Sequence, residues 1–129
     1  MSLKGKRVVI VDDCTMTRTV LKNSLKSLEL EVSEASNEVG FLNVLYEYGR
    51  VADLVIMDLT LSSDVNGYDL ICKMQEFDAY KNIPAIVLTS SKYKNDVLLG
   101  KLIGVADYIL KPYSDADLEK RVKKALKAE

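Results

Sequence analysis

Apolar positions along the chain alternate between short dense runs and longer periodic stretches. Val8-Val9-Ile10-Val11, Leu54-Val55-Ile56-Met57 and Ala85-Ile86-Val87-Leu88 are dense runs rich in β-branched side chains. Runs of that kind predict strands buried on both faces, the mark of a parallel sheet. Tyr108-Ile109-Leu110 is a shorter run of the same sort. Leu30 to Ala35 is interrupted by Glu31, Ser33 and Glu34, which predicts a strand at the edge of the sheet.

Helical periods lie between these runs. Met16, Val20, Leu21, Leu25 and Leu28 follow a spacing near 3.6 and predict a first helix with one apolar stripe. Asn37 is a candidate N-cap for a second, carrying Val39, Leu42 and Leu45 and stopped by Gly49. Leu70, Ile71 and Met74 mark a third; Val97, Leu98, Leu102 and Ile103 mark a fourth, closed by Gly104. Ser114 or Asp115 caps the last, where Leu118, Val122 and Leu126 recur every four residues. The order is β-α five times. It predicts a doubly wound α/β domain, a parallel sheet with helices on both faces and right-handed crossovers. An α+β alternative would need antiparallel hairpins, and no two-residue hairpin turn is recognised in the sequence.

With 129 residues the chain reads as one domain, residues 1–129. A domain of that size buries about two-thirds of its unfolded surface and needs no disulfide. Cys14 and Cys72 are far apart and form no CxxC pair, so a thiolate zinc site is disfavoured and free thiols in a reducing cytoplasm are expected. Histidine is absent, which excludes Ser-His-Asp and Cys-His nucleophile systems. The net charge of −1 implies no general attraction to nucleic acid or anionic membrane. No apolar run is long enough to span a bilayer, and no signal peptide precedes Lys4. Met1-Ser2-Leu3 reads as an expression remnant, which leaves open that the chain is part of a longer protein.

In doubly wound sheets, ligands bind beyond the carboxyl ends of the strands. The first run there ends in Asp12-Asp13, the third in Asp58, the fourth in Thr89 and the fifth in Lys111-Pro112. An acidic residue after a strand is most often a helix cap or part of a solvated loop. Several at one end of different strands point instead to a site. Carboxylates about 5 Å apart repel by about 3 kcal/mol at an effective dielectric of about 20, so the cluster calls for a cation or a proton. With neither histidine nor paired thiolates, the ligands are oxygens, which favours Mg²⁺ over zinc or copper. A lysine and a hydroxyl beside such a site suit phosphoryl transfer.

Val11-Asp12-Asp13, Val55-Ile56-Met57-Asp58, Val87-Leu88-Thr89-Ser90 and Asp107-Tyr108-Ile109-Leu110-Lys111-Pro112 together resemble the motif set of CheY-like receiver domains of bacterial two-component response regulators. The resemblance covers essentially the whole chain. It implies a flavodoxin-like (βα)5 fold with strand order 2-1-3-4-5. It further implies that Asp58 is the phosphoacceptor, taking its phosphoryl group from a phosphohistidine on a sensor histidine kinase or phosphotransfer protein. Asp13, Asp58 and the backbone carbonyl of Thr60 would hold Mg²⁺ directly, and Asp12 through water. Thr89 and Lys111 would contact the phosphoryl oxygens, and the Lys111–Pro112 bond would be cis. Thr89 and Tyr108 would act as the switch, altering the face of the fourth helix, fifth strand and fifth helix for a downstream partner. Lys94, Val97, Lys101, Tyr108 and Lys120 belong to that face, and dimerisation on phosphorylation is left open. Read from the residues alone, Tyr108 is equally a strand aromatic that covers core.

A carboxylate nucleophile is ionised at neutral pH and needs no general base, which agrees with the absence of histidine. The loop from Leu59 to Gly67 departs from the family pattern: it lacks the proline common near Ser62 and is one residue longer. Thr60 and Ser91 are polar where the family tunes access of hydrolytic water, and Ser90 supplies the expected small residue. The expected function is a signalling switch and not an enzyme with an external substrate, with no membrane association and no direct contact with nucleic acid. A degenerate receiver acting as a constitutive binding module is one alternative. An aspartyl-phosphate phosphohydrolase is another, but it would want Asp-x-Asp after the first strand. A flavin module of the same topology would need a phosphate loop where Asp12-Asp13-Cys14 stands.

Overall fold

The computed structural model describes residues 3–47, 49–59, 66–90 and 93–127. The strands of the main sheet are β1 (Arg7–Val11), β2 (Glu31–Ala35), β3 (Leu54–Asp58), β4 (Ala85–Thr89) and β5 (Asp107–Leu110). The helices are α1 (Thr15–Lys26), α2 (Glu38–Leu45), α3 (Gly67–Gln75), α4 (Lys94–Ile103) and α5 (Asp115–Lys127). All pairings in this sheet are parallel, and the spatial order is β2-β1-β3-β4-β5. This is the flavodoxin-like order, with the polar-interrupted β2 at an edge as expected.

Alternation along the buried strands supplies two cores, one on each face of the sheet. Val9, Val11, Val55, Met57 and Val87 meet Phe41 and Leu45 of α2 and Leu70, Ile71 and Met74 of α3. Val8, Ile10, Leu54, Ile56, Ile86 and Leu88 meet Leu21 and Leu25 of α1 and Leu118, Val122 and Leu126 of α5. Local chemistry sets the helix ends. The Asn37 side chain accepts from Gly40 N at 2.8 Å, Ser114 Oγ accepts from Asp117 N at 3.0 Å, and Gly104 closes α4 at φ 90°.

Four sequence expectations are corrected. α2 stops at Leu45, and Gly49 does not end it; instead Gly49, at φ 71°, lies in the turn of an antiparallel hairpin pairing Tyr46–Glu47 with Arg50–Val51. A short hairpin therefore exists, outside the main sheet. Its support is long-range: buried Arg7 donates to Val44 O at 2.8 Å, Arg50 O at 2.5 Å and Glu47 O at 3.3 Å, and pairs with Glu47 Oε2 at 2.7 Å. The apolar stripe of α1 is also narrower than predicted, since Met16 and Val20 are exposed. Each residue turns the helix by about 100°, which puts Val20 about a third of a turn away from the middle of the Leu21–Leu25 line. Likewise Val39 and Leu42 of α2 face outward while Phe41 and Leu45 are buried.

Candidate functional site

At the carboxyl rim, the ends of β1, β3, β4 and β5 deliver the polar groups. Asp12 follows β1 and is buried, as are Asp58 at the end of β3 and Thr89 at the end of β4; Asp13 is exposed. Ligand oxygens of Asp12, Asp13 and Asp58 lie within 4.8 Å of one another. Lys111, just past β5, places Nζ 3.7 Å from Asp58 Oδ2 and 4.0 Å from Asp12 Oδ2. The Lys111–Pro112 bond is cis, and Lys111 N donates to Thr89 O at 2.8 Å, which fixes the lysine backbone against β4. The expected side chains Asp12, Asp13, Asp58, Thr89 and Lys111 therefore share one rim. Thr60, Ser62 and Ser91 lie outside the described residues.

The backbone of Asp12 is fully engaged. Its N donates to Ala35 O at 3.1 Å and its carbonyl accepts from Arg18 Nη1 at 2.7 Å. Oδ1 accepts from Cys14 N at 2.8 Å, yet buried Oδ2 has no hydrogen-bond partner. An acceptor buried without a partner costs about 1–3 kcal/mol, more when charged. Three carboxylates against one ammonium also leave the cluster with a charge of −2, each carboxylate pair repelling by about 3 kcal/mol at an effective dielectric of about 20. An all-oxygen donor set with a spare buried oxygen fits a hard divalent cation such as Mg²⁺.

Two neighbouring groups are shifted, each mainly by its own local surroundings. Burial, followed by the charges of Asp115 and Asp12, pushes the Tyr113 hydroxyl above its ordinary value. The exposed Cys14 thiol at the start of α1 is held low, chiefly by hydrogen bonds with Thr17. Tyr108 is half-buried and packs against the core on the α2–α3 side, together with Ile103 and Val105.

Two contributors carry little sequence signal. Arg18 joins α1 to Asp12 O and, through Nε, to Glu34 Oε1 at 3.0 Å, so it steadies the acidic corner from a helix. Gly67 N donates to Leu59 O at 2.7 Å, and a Cβ on Gly67 would collide with the Asp58 carbonyl oxygen and lie 2.8 Å from Met57 Cγ. Only glycine lets α3 begin that close to the end of β3. Its place at the close of a polar loop was the one available hint.

The profile of the response regulator receiver domain matches residues 8–123. The sensor histidine kinase CheAY of Helicobacter pylori is 30% identical over 95% of this chain, which covers 15% of that protein. The transcriptional regulatory protein GltR of Pseudomonas aeruginosa is 31% identical over 98% of this chain, which covers 51% of that protein. The chain thus spans about half the length of one of these curated relatives and far less of the other. A CheY-like receiver domain protein from Methanospirillum hungatei superposes with a TM-score of 0.85 at 25% identity, over 97% of this chain and 96% of that one. No described helix is long and apolar enough to cross a membrane. The chain belongs to the response regulator receiver domain family.

Proposed function

We propose that this receiver domain, taken as residues 1–129, is the phosphorylation-controlled switch of a two-component relay, with Asp58 as its phosphoacceptor. The observation that carries the reading is the buried, unbonded Asp12 Oδ2 beside Asp13, Asp58 and Lys111. Asp13, Asp58 and the Thr60 carbonyl would hold Mg²⁺ directly and Asp12 through water; when bound, the ion offsets charge on the phosphoryl oxygens. An Asp58 carboxylate oxygen attacks the phosphorus of a phosphohistidine on a sensor kinase or phosphotransfer protein. The P–O bond forms as the P–N bond breaks, and its electron pair returns to the imidazole of the donor. Lys111 and the Thr89 hydroxyl stabilise the transferred group.

The new charge is about −1.5 to −2 if it ionises like other protein phosphates. Thr89 and Tyr108 respond to it and alter the face of α4, β5 and α5, where Lys94, Val97, Lys101, Tyr108 and Lys120 meet a downstream protein. Exposed Leu98, Leu99 and Leu102 on α4 support that placement, being apolar surface with no cover among the described residues. The domain is a switch and not an enzyme with an external substrate, and it contacts neither membrane nor nucleic acid itself. The reducing cytoplasm is the proposed compartment, in keeping with exposed thiols at Cys14 and Cys72.

Intact mass after incubation with acetyl phosphate, with and without Mg²⁺, tests this reading. Native chain should gain one phosphoryl group only with Mg²⁺, and Asp58→Ala none. No gain in the native chain would make it a constitutive binding module. Rapid turnover of a generic phosphate ester would make it a phosphohydrolase.

A further inference from the structure

Outside the acidic cluster, one side chain spans from the acceptor segment to α4. Tyr68 follows Gly67 in α3 and is 2% exposed. Its hydroxyl donates to the carbonyl oxygen of Asp96, in the first turn of α4, at 2.6 Å. One helical turn further along, Gly100 makes room for the same hydroxyl. A Cβ on Gly100 would lie 2.7 Å from Tyr68 Oη and 3.4 Å from its Cζ. Thus α4 receives this tyrosine with a carbonyl at one residue and with the absence of a side chain at the next turn. At its other end, Tyr68 is covalently next to the glycine pressed on the Asp58 carbonyl and bonded to Leu59 O. Packed interiors have little slack, so a shift of the chain at Asp58 and Leu59 must be absorbed or passed on.

We propose that Tyr68 is a positioning residue whose hydroxyl ties the first turn of α4 to the acceptor segment and passes a change at Asp58 to α4 through the start of α3. The route rests on the reading of Asp58 as phosphoacceptor. The tie itself does not titrate near neutrality: burial, then the nearby Tyr108 and Asp96, push the Tyr68 hydroxyl up to about 12, so it stays a donor. Tyr68→Phe removes the hydroxyl and keeps the ring. Gly100→Ala attacks the same contact from α4.

Hydrogen exchange of residues 94–103, read beside intact mass on the same samples with and without acetyl phosphate and Mg²⁺, tests the tie. Resting exchange of this segment in Tyr68→Phe should rise about fivefold, the equivalent of a hydrogen bond worth roughly 1 kcal/mol. Phosphorylation should change exchange of the segment in the native chain, while Tyr68→Phe gains the same phosphoryl group with that change lost. Gly100→Ala alone should also raise resting exchange. Adding Tyr68→Phe to it should bring no further rise, because the atom nearest the new methyl is gone; two unrelated losses of stability would add. Native-like resting exchange in Tyr68→Phe, or a native-like response to phosphorylation, overturns the proposal. Absence of a mass gain in the native chain would defeat the acceptor reading instead, and resting exchange would still decide the tie.

Discussion

Arg7 opens β1 and Asp12 follows its last residue, and both side chains are buried, at 4% and 2% exposure. At the Arg7 end the guanidinium donates to Val44 O, Arg50 O and Glu47 O and pairs with Glu47 Oε2 at 2.7 Å. Even the backbone is closed there, Arg7 N donating to Asp53 Oδ2 and Asp53 N to Arg7 O, each at 2.8 Å. At the Asp12 end the backbone is equally well held, yet one carboxylate oxygen is left over and two more carboxylates crowd it. Protein groups use up the first charge, so it can serve only structure. The second charge is kept partly unsatisfied by a rigid frame, a cost to the resting fold that a bound cation would relieve.

Breaking the satisfied end should cost most. Arg7→Met removes the buried donor to three carbonyls and the cation beside the Glu47 carboxylate, and should lower unfolding free energy by about 3 kcal/mol in urea, at the low end for a broken buried pair because Glu47 is partly exposed and keeps Ser33 Oγ. The fraction that remains folded should still respond to Mg²⁺. The opposite sign is expected at the other end. Asp12→Asn keeps an acceptor for Cys14 N and removes one of the crowded charges, so in Mg²⁺-free buffer it should gain about 1 kcal/mol of stability. A loss as large as that of Arg7→Met would erase the distinction between the two ends.

A smaller, pH-dependent effect is expected at Glu34, which shares Arg18 with the Asp12 carbonyl. The Lys22 hydrogen bond, opposed by partial burial and helped by Arg18, holds the Glu34 carboxyl below its ordinary value of 4.5. A depressed folded value means stability that is present above about pH 4.5 and lost as pH falls through the lower folded value. Glu34→Gln should therefore cost less than about 1 kcal/mol at neutral pH. The gap between native and variant unfolding curves should close on acidification through that window. A gap that widened toward low pH would contradict the assignment.

The rim of the sheet was legible because its cause is local. Dense β-branched runs mark strands buried on both sides, and the polar residue that ends each run must lie at one edge of a parallel sheet. Asp12, Asp58, Thr89 and Lys111 were found in this way. The Arg7 end was not, because its partners at 44, 47 and 50 become neighbours only after folding, and nothing in Arg7-Val8-Val9 announces a buried guanidinium. The hairpin went unseen for the same reason: Gly49 serves a helix stop and a hairpin turn equally well until Arg7 selects the second. Met16 and Val20 fit a helical period but sit on the wrong side of the Leu21–Leu25 line, a rotation that only packing against the sheet decides. Tyr68 and Gly100 read as an ordinary core aromatic and an ordinary helical glycine until α3 and α4 are brought together.

The contrast between the two ends of β1 is tested most directly by urea unfolding of the native chain and Asp12→Asn across a Mg²⁺ titration. Native stability should rise with Mg²⁺, by about 2.7 kcal/mol once the ion reaches about 100 times its dissociation constant. In Asp12→Asn the rise should begin at higher Mg²⁺ and be smaller at each concentration. Native curves that coincide with and without Mg²⁺ would contradict the account, because the unbonded oxygen of Asp12 would then be a cost with no ligand to relieve it.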